Sequence, residues 1–266
     1  LNRMLTTKRP LQEKMTLFWH NLFATANYKV NEPGWMWNQN ELFRANALGN
    51  FRSLLTAIAK DPAMLRWLDG DQNRKGKPNE NFAREVMELF TLGIGNYTEQ
   101  DIKEGARALT GWQIDKNGKA MFNPKLFDDG VKTYLGQTGA LKLADVVDAI
   151  LKQPAHAHYM ARRLFTFFVN DHPSTASLDR LAKVYTSSNF ELKPVVRELF
   201  LLPEFSAQQS YRALVKSPIE LVIGTFKKLN LDALPKEIPV IPLLRRLGQE
   251  PFNPPSVKGW DGGQAW

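Results

Sequence analysis

None of the 266 residues is a cysteine. Thiolate catalysis, disulfides and cysteine-ligated zinc are thereby excluded. A cysteine-free chain tolerates an oxidising compartment without requiring one. Long hydrophobic runs are missing too: nothing approaches the roughly 20 apolar residues of a membrane span. Histidine is scarce, with four residues, and no Glu-x-x-His pairing occurs, which argues against a di-iron carboxylate centre. Neither G-x-G-x-x-G nor a Walker A loop is present, so neither a Rossmann cofactor nor a P-loop has support. A serine hydrolase would want a G-x-S-x-G elbow on a parallel sheet, and the sequence offers neither. Basic residues come in pairs (Arg162-Arg163, Lys227-Lys228, Arg245-Arg246) rather than tracts, which argues against a dedicated nucleic-acid binder. No signal peptide is recognisable. Because the chain starts at Leu1 rather than Met, it is expected to be a fragment lacking an N-terminal region.

What is there describes an ordinary globular protein: 43% apolar and 23% charged residues, with length for one large domain or two modest ones. Lys and Arg number 35 against 27 Asp and Glu, a net +8. That excess favours anionic partners. Helical periodicity dominates. It predicts helices over Leu11–Ala26, Asn40–Ala59, a short one from Asp61-Pro62 through Trp67, and one from Asn79 to Gly93. Thr98-Glu99-Gln100-Asp101 reads as a capping box, opening a helix to about Leu109. Further helices are expected over 143–153, 155–169, 178–186, 194–202 and 218–229. Residues 113–135 are the least helical, with turn signals at Asn117-Gly118 and Asp129-Gly130 that point to a hairpin or an ordered loop. After Leu247 the chain is rich in Gly and Pro. The expected fold is mainly α, a multi-helix bundle-like domain with a loop or hairpin insert and a loop-rich tail. It is read as one domain over 1–266, with a subdivision into 1–112 and 136–266 as the alternative.

The densest chemistry lies in Asn79-Glu80-Asn81-Phe82-Ala83-Arg84-Glu85-Val86-Met87-Glu88-Leu89-Phe90-Thr91-Leu92-Gly93. Phe82, Val86, Leu89 and Phe90 form one apolar face. Glu85 and Glu88 share another, and Arg84 is spaced to reach Glu80 and Glu88 at i−4 and i+4. Such a carboxylate pair suits general acid–base work or a divalent metal. It equally suits a plain salt-bridge network. The preceding loop places Asp69, Asp71, Asn73 and Glu80 at EF-hand positions 1, 3, 5 and 12, a calcium candidate. Arg74 at the glycine position, with Lys75 and Lys77 beside it, weakens that match. His20, in Phe18-Trp19-His20-Asn21, is the best acid–base histidine by its polar neighbours, and otherwise a buried, satisfied one. His156 and His158 are two apart and cannot form a helical metal pair. Asp128-Asp129-Gly130-Val131-Lys132-Thr133 is either a functional loop or a charged turn. Trp260 and Trp266 are expected to anchor the tail or to stack on sugar rings, and Trp35, Trp37 and Trp112 carry the same two readings.

Trp19-His20-Asn21, Asn50-Phe51-Arg52, Asp61-Pro62-Ala63-Met64-Leu65, the Asn79 to Gly93 segment and Ala108-Leu109-Thr110-Gly111-Trp112 resemble the DUF1800 family of bacterial proteins. Lys132-Thr133-Tyr134-Leu135-Gly136, Lys216-Ser217-Pro218-Ile219-Glu220 and Asn253 to Trp260 continue the match collinearly over nearly the whole chain. The resemblance implies an exported protein, periplasmic or extracellular. It also implies a DUF1501-type protein partner and chemistry on an envelope or extracellular polymer. The family pattern often places a His before the Asp of Asp-x-Gly-x-Lys-Thr; here it is Phe127, so a reaction depending on that His would be altered.

The expected site lies between the His20 helix, the Asn79 helix and the Lys132 loop. In an enzyme, Glu85 or Glu88 would be the base, His20 the acid or orienter, and Arg84 and Lys132 the holders of anionic groups. Asn21, Asn79, Asn81, Trp112, Asp128, Lys258 and Trp260 complete the substrate-binding set. The substrate would be an anionic polysaccharide or a phosphate or sulfate ester, with hydrolysis as the reaction. The competing reading is a non-enzymatic scaffold or binding module whose polar cluster is structural.

Overall fold

The computed structural model describes residues 1–263 and Trp266. The fold is mainly α. The N-terminal helices are α1 (Asn2–Thr6), α2 (Pro10–Leu22), α3 (Asn27–Val30), α4 (Pro33–Ala45), α5 (Phe51–Ile58), α6 (Pro62–Trp67), α7 (Asn81–Glu85) and α8 (Glu99–Ala108). After two hairpins come α9 (Leu143–Leu151), α10 (Pro154–Phe168), α11 (Thr175–Ser187), α12 (Leu192–Phe200), α13 (Pro203–Ser206), α14 (Pro218–Lys228) and α15 (Val240–Arg246).

Local signals set several starts. Asp61 caps α6 by accepting the Met64 N–H at 2.9 Å, with Pro62 in the first turn. Thr98 and Asp101 form the expected reciprocal capping box, and Ser217 with Glu220 forms another at α14. The single helix expected over Asn40–Ala59 is instead two. The chain breaks between α4 and α5 because Gly49 and Phe51 pair their backbones with Leu192 and Phe190. Asn50 then caps α5 through the Ser53 N–H.

The helix expected over Asn79–Gly93 is also different. Its α-helical part is α7 alone, followed by a π-helical turn over Val86–Thr91. The cause is in α10: Tyr159 donates its hydroxyl to the Leu89 carbonyl, and His156 donates Nδ1–H to the Thr91 carbonyl at 3.1 Å. Side chains that draw off backbone carbonyls widen the ladder. His156 Nε2 must then accept from the Tyr185 hydroxyl, 3.0 Å away. Burial holds this imidazole neutral, with its pKa lowered to about 4.

The insert holds a hairpin of β1 (Trp112–Ile114) and β2 (Ala120–Phe122), turning through Asn117-Gly118 as expected. The second hairpin pairs β3 (Lys132–Tyr134) with β4 (Gln137–Gly139). Its turn is Leu135-Gly136, both at positive φ, and not Asp129-Gly130.

One hydrophobic core runs from Met15 on α2 to Leu202 after α12, so side chains from both sides of the insert pack together. Trp19, Phe23, Phe51, Phe90 and Tyr185 lie fully inside it. A smaller cluster joins Leu5 and Leu17 to α14 and α15. Among the described residues, no helix is long and apolar enough to cross a membrane.

Candidate functional site

The polar groups picked from sequence fall into three sets with separate partners. The first is the Asn79–Gly93 segment. Its Asn-Glu-Asn entry is an Asx turn: the Asn79 carboxamide oxygen takes the Asn81 N–H at 2.9 Å. Asn73 is buried, donating to the Ala106 carbonyl and accepting the Asn79 N–H. Asn73, Asn79 and Trp112 line a crevice of about 10 Å³, room for about one water. Asp69 pairs with Lys29 and accepts from Asn81; Asp71 pairs with Arg66; Glu80 pairs with Arg84. These four oxygens therefore face different partners, and the calcium loop expected from their spacing does not form. Among the described residues no group of three or more His, Asp or Glu converges on a cation site.

Arg84 does not meet Glu88. The π turn begins at Val86, so the i,i+4 stacking from Arg84 is lost. Arg84 instead holds Glu99 at 2.8 Å and Glu80 at 3.3 Å. Glu88 accepts the Tyr97 hydroxyl at 2.6 Å. Glu85 is half-buried and has no hydrogen-bond or ion-pair partner among the described residues. Burial first, and then the neighbouring Glu88, raise its carboxyl above the ordinary carboxylate range.

The second set is the Asp128–Lys132 loop. The Lys132 ammonium is buried and donates to the Asp128 and Gly130 carbonyls at 2.5 and 2.8 Å. It also sits 4.9 Å from the Phe127 ring centre. Burial lowers its pKa. The Asp128 carboxylate takes two bonds from Arg107, which also holds Glu104. Asp129 is paired with Lys75 from the loop before α7, so each charge of the motif has a partner, which is the charged-turn reading.

The third set joins α2 to the C-terminal segment. His20 Nε2 accepts the Phe252 N–H at 3.1 Å, and the Phe252 carbonyl accepts the Asn27 N–H at 2.8 Å. The Asn21 carboxamide accepts the Trp260 N–H at 2.8 Å and donates to the Trp260 carbonyl. The His20 ring packs between Phe252 and Trp260. Two motifs more than 230 residues apart are thus halves of one clamp. Trp260 is buried and anchors the tail, while the exposed Lys258 pairs with Asp261. Burial lowers the His20 pKa to about 4, so at neutral pH it offers one N–H and no cation.

Beside this clamp lies a groove of about 430 Å³ between α2, α10, the start of α14 and the tail. Lys14, Asn21, Arg163, Lys216, Trp260 and Trp266 are on its walls. Lys14 is paired with Glu220 and lies over the Phe167 ring. Arg163 and Lys216 have no acidic partner among the described residues. Sequence reading missed both as site residues; an unpaired cation only becomes visible once its neighbours are known. Trp35 and Trp37, open between core and surface roles, lie under Arg66 and Arg3 respectively.

No curated protein matches this chain, and no solved structure matches it. The family model for DUF1800, a protein of unknown function, matches residues 1–266, and the chain belongs to that family.

Proposed function

We propose that this protein binds a polyhydroxylated, negatively charged ligand, such as an acidic saccharide of the cell envelope or its surroundings, in the groove beside the clamp. The observation that carries this reading is that two cations without an acidic partner among the described residues, Arg163 and Lys216, share one groove with the half-buried indole of Trp266 and outnumber its one carboxylate outside an ion pair, Asp171. Indole faces stack on sugar rings, and guanidinium and ammonium groups hold carboxylate or sulfate. The chain's net +8 favours the same charge sign at long range. Calorimetric titration with a uronic-acid oligosaccharide and with its neutral counterpart tests this. The acidic ligand binds more tightly, and its advantage shrinks as salt is raised. Arg163→Ala and Lys216→Ala each weaken binding by about tenfold. Equal affinity for both oligosaccharides, insensitive to salt, would sink the reading.

A hydrolytic reading rests on a different observation: Glu85 is unpartnered and raised, while Glu88 nearby is held by Tyr97. Two carboxyls in unequal environments divide acid and base roles. Under this reading, Glu85→Gln lowers the rate of bond cleavage by about 10²–10⁴-fold and leaves binding in the groove intact. Turnover that survives Glu85→Gln excludes Glu85 as the acid.

A further inference from the structure

Basic residues scattered along the chain are gathered by the fold around the first hairpin. Over 74–77 and 112–126 the basic side chains are Arg74, Lys75, Lys77, Lys116, Lys119 and Lys125, and the one acid is Asp115. Main-chain bonds tie these segments together. The Lys75 N–H donates to the Leu126 carbonyl at 2.7 Å, Gly111 to Asn73 at 3.1 Å and Asn123 to Gly111 at 2.8 Å. The loop before α7 and the β1–β2 hairpin are therefore neighbours on one surface, which has no residue in common with the saccharide groove.

Lys75 is spent on Asp129. Arg74, Lys77, Lys116, Lys119 and Lys125 are exposed and have no acidic partner among the described residues. The Asp115 carboxylate is turned to its own main chain, accepting the Asn117 and Lys119 N–H groups at 2.8 and 2.9 Å. Counted against the five free cations, it still leaves the surface strongly positive. The turn that carries Lys116 and Lys119 is fixed in place. Gly118 holds φ at +73°, and a Cβ there would lie 2.5 Å from the Trp35 indole nitrogen, so the turn is seated on α4. Its backbone has little freedom left to lose on binding.

Apolar side chains lie among these cations. Phe122 leans on Trp112 and Phe127, on the inner face of the hairpin. Met121 alternates to the outer face and is 44% exposed. Val131, two residues past the Asp129 that holds Lys75, is 67% exposed. That mixture separates partner classes. Lipid phosphates take ammonium and guanidinium groups, while the boundary between headgroups and acyl chains takes apolar side chains. A nucleic acid or an acidic saccharide would use the same cations and leave Met121 and Val131 in water.

We propose that this face docks on a membrane surface rich in anionic phospholipid, with the five free cations over the headgroups and Met121 and Val131 entering the boundary beneath them. Co-sedimentation with vesicles tests it, using phosphatidylcholine alone and phosphatidylcholine with an equal share of phosphatidylglycerol. The protein sediments with the anionic vesicles and not with the neutral ones, and raising the salt weakens binding. Lys116→Gln, Lys119→Gln and Lys125→Gln together lower the partition coefficient about a hundredfold, at about fivefold for each cation. Lys183, Lys193 and Arg197 on α11 and α12 are equally exposed and free of acidic partners among the described residues. Changing those three to Gln removes the same charge and lowers the coefficient by less than about threefold. Met121→Ser with Val131→Ser lowers it about tenfold at unchanged charge. Circular dichroism checks that each variant is folded; should one fail, the comparison of the two vesicles on the unaltered protein stands alone. Equal sedimentation with both vesicles or with neither, equal loss from the two triple variants, or no loss from Met121→Ser with Val131→Ser overturns the proposal. So does binding to a DNA duplex that outlasts vesicle binding as the salt is raised.

Discussion

Lowering the pH from 7 to 4 is expected to destabilise the fold by about 4 kcal/mol, read as a fall in the urea midpoint. The cause is two imidazoles that fold neutral. Burial lowers His20 and His156 to about 4 each, against roughly 6.5 in an unfolded chain. Below 6.5 the unfolded chain takes up protons that the folded chain refuses. The stability these groups lend is therefore complete above about 6.5 and is lost as the pH falls towards 4. Each contributes about 3 kcal/mol to that loss. Asp61 works in the opposite direction. Burial raises its carboxyl to about 6, so its protonated form favours the folded state; that contribution is present at low pH and lost as the pH rises through 6. It offsets roughly 2 kcal/mol of the histidine effect. Asp61→Asn keeps a cap for the Met64 N–H and removes the offset, so its acid loss should be steeper than that of the parent protein. A midpoint that is flat between pH 7 and 4 would contradict neutral burial of both histidines.

Features that depend on neighbouring residues were legible in the sequence. The Asp61-Pro62 start, the Thr98 capping box and the Asn117-Gly118 turn each need only four or five consecutive residues to specify them. Features decided from a distance were not legible. The break between α4 and α5 is made by backbone pairing with residues about 140 positions later. The π turn is made by His156 and Tyr159, 65 and 70 residues beyond the carbonyls they take. Helical periodicity sees neither, because the apolar stripe over Phe82, Val86 and Phe90 survives the widening.

The candidate site shows the same division. Polar residue types were found, but their partners were not. Lys132 looked like an anion holder until its ammonium met two main-chain carbonyls and the Phe127 ring. Arg84 and Glu88 looked like a pair until the π turn parted them. His20 and Asn21 did prove to act together with the Asn253 to Trp260 string, and collinear matching of both motifs to one family was the only sequence-level sign that the two belong to one structure.

Gly259→Ala is expected to release the C-terminal segment, destabilising the protein by about 3 kcal/mol and removing ligand binding in the groove. Gly259 holds φ at +84°, a conformation L side chains rarely adopt, and a Cβ there would lie 2.4 Å from both the Asn21 carbonyl and the Asn21 carboxamide oxygen. The carbonyl is main chain in the last turn of α2 and, unlike the far end of a flexible side chain, has little freedom to swing aside. The alanine must therefore move away, and the two hydrogen bonds between Asn21 and Trp260 go with it. Trp260, Asp261 and Gly262, which form one wall of the groove, are displaced together. Gly136→Ala separates the two causes. Its φ is +81°, but nothing lies within 4 Å of the added Cβ, so it carries the backbone strain without the clash. Limited proteolysis should cut Gly259→Ala in the tail and leave Gly136→Ala as resistant there as the parent. Equal resistance in both variants would mean that the Asn21–Trp260 clamp does not hold the tail, and the groove would then need another explanation for its shape.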